Sequence, residues 1–156
     1  MTRPIRSAGP PCRSTTSPRN DLEAAVMSYS ATERRNLDMA TAMYREMLMV
    51  FDSAHVDRFI AEDYVQHSTA ASGGREGLRA FLDDRRAGFP EIDIRIMRSL
   101  ADGDFTIFHI HTIRHPGDSG MNIVDIFRHR DDGKVQEHWE VLQLIPETLP
   151  HDNGIF

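Results

Sequence analysis

The 156-residue sequence contains a single cysteine, Cys12, and no apolar run that approaches the roughly 18 residues of a membrane-spanning helix. One cysteine excludes an internal disulfide and a zinc ribbon, so the reducing cytoplasm is the expected location. Acidic residues outnumber basic ones by 24 to 18, and the net charge of −6 disfavours binding to nucleic-acid phosphates. We therefore expect no membrane partner and no nucleic-acid partner.

The first residues differ in composition from the rest of the chain. Residues 1–20 contain four arginines, four prolines and no acidic residue. Proline blocks regular hydrogen bonding, and too few apolar residues are present to offset the entropy cost of ordering this segment. We predict a disordered tail over residues 1–30, one folded domain over residues 31–147 and a C-terminal tail over residues 148–156.

The apolar residues of the domain follow a helical period first and a strand period afterwards. Spacings of three and four predict a long helix over about residues 32–51, a short helix after Ser53 and a third helix over residues 75–86. Alternation from residue 91 onward predicts four further elements, all strands. This order predicts an α+β fold in which helices pack on the concave face of a curved antiparallel sheet. The predicted strands cover residues 91–100, 105–114, 121–130 and 135–145.

One acidic residue interrupts an apolar row, since Asp125 lies between Ile123 and Phe127 on one face of the third predicted strand. Burying a carboxylate is costly unless it is paired or protonated, so a partner is expected. The preceding strand offers His109 and His111, which share a face. The pattern alone leaves open whether Asp125 is functional or a structural ion-pair partner.

The register of the last strand decides which of its side chains meets Asp125. A two-residue turn pairs Asp125 with Glu140 and places His138 on the same face, whereas a three-residue turn pairs Asp125 with Trp139. We favour the three-residue turn, because the Asp-Asp-Gly sequence of residues 131–133 suits a type I turn closed by a left-handed glycine. In that register Trp139 lines the pocket.

Several short motifs together resemble those of the SnoaL-like polyketide cyclases, and most closely the predicted SnoaL-like aldol-condensation proteins of the nuclear-transport-factor-two-like superfamily. The resemblance covers about residues 33–146 and implies a cone-shaped α+β fold. The motifs are Tyr64-Val65-Gln66-His67, residues 74–78, the strand with His111, Asp125-Ile126-Phe127-Arg128, residues 132–134 and Glu137-His138-Trp139-Glu140-Val141.

The resemblance also implies roles for individual residues. In these cyclases an aspartate on the third strand is the general acid and base of an intramolecular aldol closure, and a histidine on the preceding strand assists it. Asp125 and His111 occupy these positions, so they are the expected catalytic pair. The residues expected to contact the substrate are Tyr64, His67, His109, His138 and Trp139.

The function that follows is a cofactor-independent lyase or isomerase acting on a small hydrophobic carbonyl compound. Asp125 would remove a proton next to the carbonyl group and His111 would polarise the oxygen, because an apolar pocket makes a carboxylate a better proton acceptor than it is in water. The sequence has no glycine-rich phosphate loop and no nucleophile elbow, so no cofactor is expected.

Two other functions stay open, together with one expectation about assembly. The cone could hold a ligand without turning it over, as a small-ligand binding protein. His109 and His111, with His67 or His138 and Glu140, could instead form a metal centre. We also expect a homodimer, because apolar residues on the outer face of the sheet, such as Val124, would otherwise be exposed.

Overall fold

The computed structural model describes residues 29–156, so the predicted disorder before Tyr29 concerns positions outside the described residues. Ser30 caps the first helix, because its hydroxyl accepts from the Glu33 N–H at 3.2 Å and the Glu33 carboxylate accepts from the Ser30 N–H at 2.7 Å. Between residues 29 and 156, no helix has the length and apolar character needed to cross a bilayer.

Three helices lie where helical spacing predicts them. Helix α1 (Ala31–Met43) continues into a π-helical turn (Tyr44–Leu48), in which the Met49 N–H donates to the Tyr44 carbonyl five residues earlier. A 3₁₀ turn (Ser53–His55) leads into the short α2 (Val56–Phe59), and α3 follows (Gly74–Gly88). The predicted long first helix is therefore confirmed, with a wider turn near its end.

Five strands form one sheet, and the four predicted strands are all present. These are β2 (Asp93–Asp102), β3 (Phe105–Ile113), β4 (Met121–His129) and β5 (Val135–Leu144). The sheet order is β1-β5-β4-β3-β2, in which the additional strand β1 (Ile60–Gln66) occupies one edge.

The four predicted strands pair antiparallel, as predicted, while the additional strand β1 runs parallel to β5. Residues 60–66 follow α2 directly, and the helical spacing of the sequence predicts a short helix after Ser53 but no strand after it. The free edge of β5 offers unpaired backbone groups to this segment, and pairing with them satisfies the segment's own N–H and C=O groups. The sheet is therefore mixed, and its first strand brings the segment from Tyr64 to His67 against β5.

The core lies between the concave face of the sheet and the helices, as predicted. The helices and the strands each point large apolar side chains into this space, and burial of these side chains holds the two layers of the α+β fold together. Fully buried contributors from the helices are Tyr44, Met47, Phe59 and Leu82, and those from the sheet are Phe108, Ile110 and Phe127.

The hairpin between β4 and β5 contains two irregularities. The three-residue turn is confirmed, since Gly133 has a positive φ of 85° and its N–H donates to the Arg130 carbonyl at 2.8 Å. A bulge follows at Gln136, where the pairing changes from His129 with Val135 to Arg128 with Glu137.

This bulge reverses the register that the turn alone would produce. Asp125 pairs with Glu140, and not with Trp139 as the three-residue turn predicted. A shift of one residue exchanges the two faces of a strand. His138 therefore faces the concave side and Trp139 faces the convex side.

Candidate active site

A cavity of about 280 Å³ lies between the concave face of the sheet and the helices. Most of its wall is apolar, and the polar side chains that reach it are few enough to be considered one by one. Those on the sheet side are Tyr64, Gln66, Thr112, Arg114, Asp125, His138 and Glu140, while Tyr44, Ser68 and Arg85 come from helices and loops.

Asp125 is buried in this cavity and contacts two polar side chains. The His138 Nε2 lies 3.1 Å from the Asp125 Oδ1, and the Tyr44 hydroxyl donates to the Oδ2. Burial and the nearby Asp125 charge raise the pKa of Tyr44 well above its ordinary value, so its phenol keeps its proton and acts as the donor. The acid in the apolar row thus has a histidine partner, and this partner is His138.

Gln66 determines which nitrogen of His138 carries a proton. The Ser68 backbone N–H donates to the Gln66 Oε1 at 3.0 Å, and the His138 Nδ1 lies 2.9 Å from the same oxygen. Because a backbone N–H can only donate, the shared oxygen is an acceptor for both, and the Nδ1 must carry a hydrogen. The Nε2 of His138 is therefore the nitrogen that faces Asp125.

This arrangement requires one further proton in the contact between His138 and Asp125. A neutral Nε2 and an ionised Oδ1 are both acceptors, and two acceptors at 3.1 Å repel each other. One proton between them removes the repulsion, whether it is held by the imidazole or by the carboxyl group. The contact between His138 and Asp125 therefore contains one shared proton.

Two more side chains complete the polar end of the cavity. Glu140, the cross-strand neighbour of Asp125, accepts a hydrogen bond from the Ser68 hydroxyl. Burial, reinforced by the charges of Asp125 and Glu140, raises the pKa of Tyr64. The Tyr64 hydroxyl makes no side-chain hydrogen bond to another described residue, so this neutral donor is free to bind a ligand atom.

The expected pairing of His111 with Asp125 is wrong. Phe108 lies directly opposite Asp125 and shares its face, so alternation along β3 places His109 and His111 on the convex face. There His109 contacts Asn122, while the His111 Nε2 lies 3.0 Å from the Ser119 carbonyl oxygen. The ring of Phe156, in the predicted C-terminal tail, packs against both histidines.

His67 and Trp139 also lie outside the cavity. Their rings are stacked with centroids 4.8 Å apart on the convex side, and the His67 Nε2 lies 2.8 Å from the Glu137 Oε1. Of the residues expected to contact substrate, Tyr64 and His138 line the cavity, whereas His67, His109 and Trp139 do not. The register change at Gln136 explains the exclusion of Trp139.

Three residues of the polar cluster are not among the site residues expected from the sequence. Tyr44 fits the helical spacing of core residues, and its aromatic contact with Phe108, at 4.8 Å between ring centroids, is that of a core residue. Its hydroxyl also donates to Asp125, a contact that helical spacing does not reveal. Gln66 and Ser68 reach the cluster because β1 pairs with β5, a pairing that local periodicity does not predict.

A family model described as the SnoaL-like domain matches residues 40–138, well over half of the chain. Curated proteins contribute no significant match. The matched region contains the contacting pair Asp125 and His138, and also Tyr44, Tyr64 and Gln66, which lie around it.

Solved structures of other proteins share the fold of this chain. A loop truncation variant of IdmH is 24% identical, with a TM-score of 0.60 and coverage of 69% of this chain and 91% of the other. A candidate SnoaL-like polyketide cyclase from Jannaschia sp. CCS1 is 19% identical, with a TM-score of 0.62 and coverage of 75% and 91%. An NTF2-like protein of unknown function from Mesorhizobium loti is 16% identical, with a TM-score of 0.61 and coverage of 74% and 97%.

Proposed function

The chain belongs to the SnoaL-like domain family, and from this premise we propose that it catalyses acid–base chemistry on a small hydrophobic carbonyl compound, of the aldol or enolisation type. One observation carries the proposal: Asp125 lies in a largely apolar cavity, 3.1 Å from a histidine whose other nitrogen is held by Gln66. A fold supports many reactions, so the argument rests on these side chains.

In the proposed reaction, the Asp125 carboxylate accepts the proton from the carbon next to the substrate carbonyl group. The electrons of the broken C–H bond move into the enolate, whose oxygen accepts a hydrogen bond from the Tyr64 hydroxyl. In an aldol closure the enolate carbon then attacks a second carbonyl carbon of the same molecule, and Asp125 returns the proton to the new alkoxide. Tyr64 thus takes the polarising role that the sequence assigned to His111.

His138 and Tyr44 position Asp125 in this scheme. Both contact carboxylate oxygens, so they hold the group in one orientation, and the proton on His138 balances the buried negative charge. His138 lies on the neighbouring strand β5 and Tyr44 lies on the π-helical turn after α1. Strands and helices are more rigid supports than loops.

Hydrogen exchange tests the proposal without knowledge of the natural substrate. Proton NMR in D₂O would follow the loss of the α-proton signals of apolar ketones such as 1-tetralone, with wild-type protein and with Asp125→Asn. We expect exchange above the buffer rate with the wild type only. Ketone binding at the buffer exchange rate would instead identify a non-catalytic ligand-binding protein.

A metal-dependent reaction is the second candidate, and one observation favours it. The donor atoms of Asp125, His138 and Glu140 all lie within 4.8 Å of one another, and imidazole with carboxylates is a common ligand set for divalent transition metals. Tyr44, Gln66 and Ser68 would be the outer residues that orient these ligands. The histidine pair proposed from sequence, His109 and His111, lies on the opposite face.

Elemental analysis separates the two mechanisms. Under the leading proposal, purified protein carries less than stoichiometric metal and ketone exchange survives treatment with EDTA. Stoichiometric zinc, iron, nickel or manganese that is lost in both Asp125→Asn and His138→Gln would replace the leading mechanism with the metal-dependent one.

We also propose that the chain forms a homodimer through the convex face of the sheet. Val65 on β1 and Val141 on β5 point to this face and are 45% and 65% exposed, and apolar side chains on an open sheet face favour association. Light scattering should give twice the 17.8 kDa of one chain, and Val141→Glu should shift the mass toward the monomer. A mass near 17.8 kDa for the wild type would contradict the proposal.

A further inference from the structure

A positively charged side chain, that of Arg85, reaches the cavity from the end of α3. The Arg85 guanidinium carbon lies 5.0 Å from the ring centroid of Phe81 and 5.5 Å from that of Phe89. Cation–π contacts of this kind hold the guanidinium in place without neutralising its charge. No carboxylate of residues 29–156 lies within 4.0 Å of it, although Arg85 lines the cavity.

The position of Arg85 is not explained by helix stability alone. A basic residue in the last turn of a helix interacts favourably with the helix dipole, and both Arg85 and Arg86 occupy the last turn of α3. Arg86 is exposed and does not line the cavity, so it can supply this interaction by itself. The distinguishing feature of Arg85 is its contact with the cavity.

The cavity has charges of opposite sign at its two ends. Asp125 lies opposite Phe108 on β3, and Thr112, four residues farther along the same face, is about 13 Å away at the usual strand rise. Thr112 pairs with Ile94, so this end of the sheet meets the part of the chain that follows α3. The Arg85 guanidinium packs against Phe89, whose carbonyl accepts from the Ile92 N–H two residues before Ile94, so Arg85 lies at this end of the cavity.

Arg114 also reaches this end, but its charge is already compensated. Its Nε and Nη2 donate to the Asp118 carboxylate at 2.7 and 3.0 Å. Among residues 29–156, Arg85 is therefore the one arginine or lysine of the cavity wall without a carboxylate partner. A negatively charged ligand group would be attracted to Arg85 and repelled by Asp125 and Glu140. These charges therefore set the orientation of a bound ligand in the cavity.

We propose that the substrates of this cavity are carbonyl compounds that also bear a carboxylate, and that Arg85 binds this carboxylate. A single uncompensated guanidinium matches a single negative charge, which favours a carboxylate over a phosphate dianion. The aromatic and aliphatic wall between the two ends accommodates an apolar spacer. This assignment rests on the proposed function only in requiring the carbonyl group to face Asp125.

Isothermal titration calorimetry with 4-oxo-4-phenylbutanoate and its methyl ester tests this assignment. The two probes differ in one charge, and charge-assisted hydrogen bonds are about twice as strong as neutral ones. We expect the acid to bind wild-type protein about 10-fold more tightly than the ester. Added salt should weaken binding of the acid and leave binding of the ester unchanged.

Variants identify the residue responsible. Arg85→Met should abolish the preference for the acid, whereas Arg86→Met, which removes the same charge from the same helix turn, should retain it. Arg85→Gln provides a second variant if the methionine variant has a lowered Tm. Asp125→Asn should still prefer the acid, so failure of the proposed chemistry and failure of this assignment give different results.

Three results would overturn the assignment. Equal affinities of acid and ester for the wild type would exclude a carboxylate site. Equal loss in Arg85→Met and Arg86→Met would reduce the effect to general electrostatics. Absence of binding by both probes at millimolar concentration, in protein that exchanges ketone α-protons, would show that the cavity does not accept keto acids.

Discussion

Two pairs of histidine and carboxylate side chains involve β5, one on each face of the sheet. In the concave pair, the His138 Nε2 and the Asp125 Oδ1 are 3.1 Å apart, and the side chains are 13% and 12% exposed. In the convex pair, the His67 Nε2 and the Glu137 Oε1 are 2.8 Å apart, and the side chains are 40% and 17% exposed. The two pairs have similar distances, so distance alone does not distinguish a functional pair from a structural one.

The difference lies in what else each carboxylate contacts. Glu137 also accepts hydrogen bonds from the Arg128 guanidinium, and His67 and Arg128 together lower the pKa of Glu137. A carboxylate held ionised in this way is a poor proton acceptor. Asp125 contacts a neutral tyrosine and one histidine inside a cavity, with no arginine among its hydrogen-bond partners in the described chain. This difference in contacts supports the proposal that Asp125, and not Glu137, is the proton acceptor.

The strongest test of this comparison replaces each carboxylate by its amide. Asp125→Asn should lower the rate of ketone α-proton exchange by about 10²–10⁴-fold, since removal of a general base has effects of that size. Glu137→Gln should leave the rate within about twofold, because surface ion pairs contribute little to neighbouring chemistry. Exchange rates from NMR and Tm values from calorimetry would be measured for both. Normal exchange with a lowered Tm in Asp125→Asn would show that Asp125 is only a structural partner.

A second test removes the group that orients His138. Gln66→Leu deletes the acceptor of the His138 Nδ1–H, and loss of one hydrogen bond corresponds to a rate decrease of about 10-fold. The matched control is Gln143→Leu, whose amide accepts from Asn122 on the convex face. Because Gln66 acts by positioning His138, its replacement should also change the pH profile of the exchange rate. An unchanged profile and rate would contradict the role assigned to Gln66.

The smallest expected effect concerns a buried histidine that has no carboxylate partner. The His129 Nδ1 donates to the Gly133 carbonyl at 2.8 Å and its Nε2 accepts from Thr106, while burial lowers the pKa of this histidine from about 6.5. The unfolded chain then binds a proton at higher pH than the folded chain does. The free energy of unfolding should therefore fall as the pH decreases below about 6.5 and should be unaffected by His129 above it.

The variant His129→Asn isolates this contribution. Its stability should depend less on pH than that of the wild type between pH 7.5 and pH 5, as measured by denaturant unfolding. The control His115→Asn, at an exposed loop position, should retain the wild-type dependence. A pH dependence that is identical in all three proteins would show that His129 does not contribute to it.

The sequence by itself determined the three helices, the strands β2 to β5 and the unusual position of Asp125 in an apolar row. Helical spacing located the three helices, alternation located β2 to β5, and the glycine at position 133 identified the three-residue turn. The acidic residue between Ile123 and Phe127 predicted a buried carboxylate that needs a polar partner. These features depend on neighbours in the chain, and local periodicity and backbone conformation report such neighbours.

The tertiary structure decided which side chains meet Asp125. A period of two tells which residues share a face but not which face is concave, so it does not decide between His111, the expected partner, and His138. The bulge at Gln136 and the parallel pairing of β1 with β5 resolved the choice, and they brought Gln66 to His138. Both depend on contacts between distant segments, because burial of the apolar face selects the register that the bulge produces after the turn.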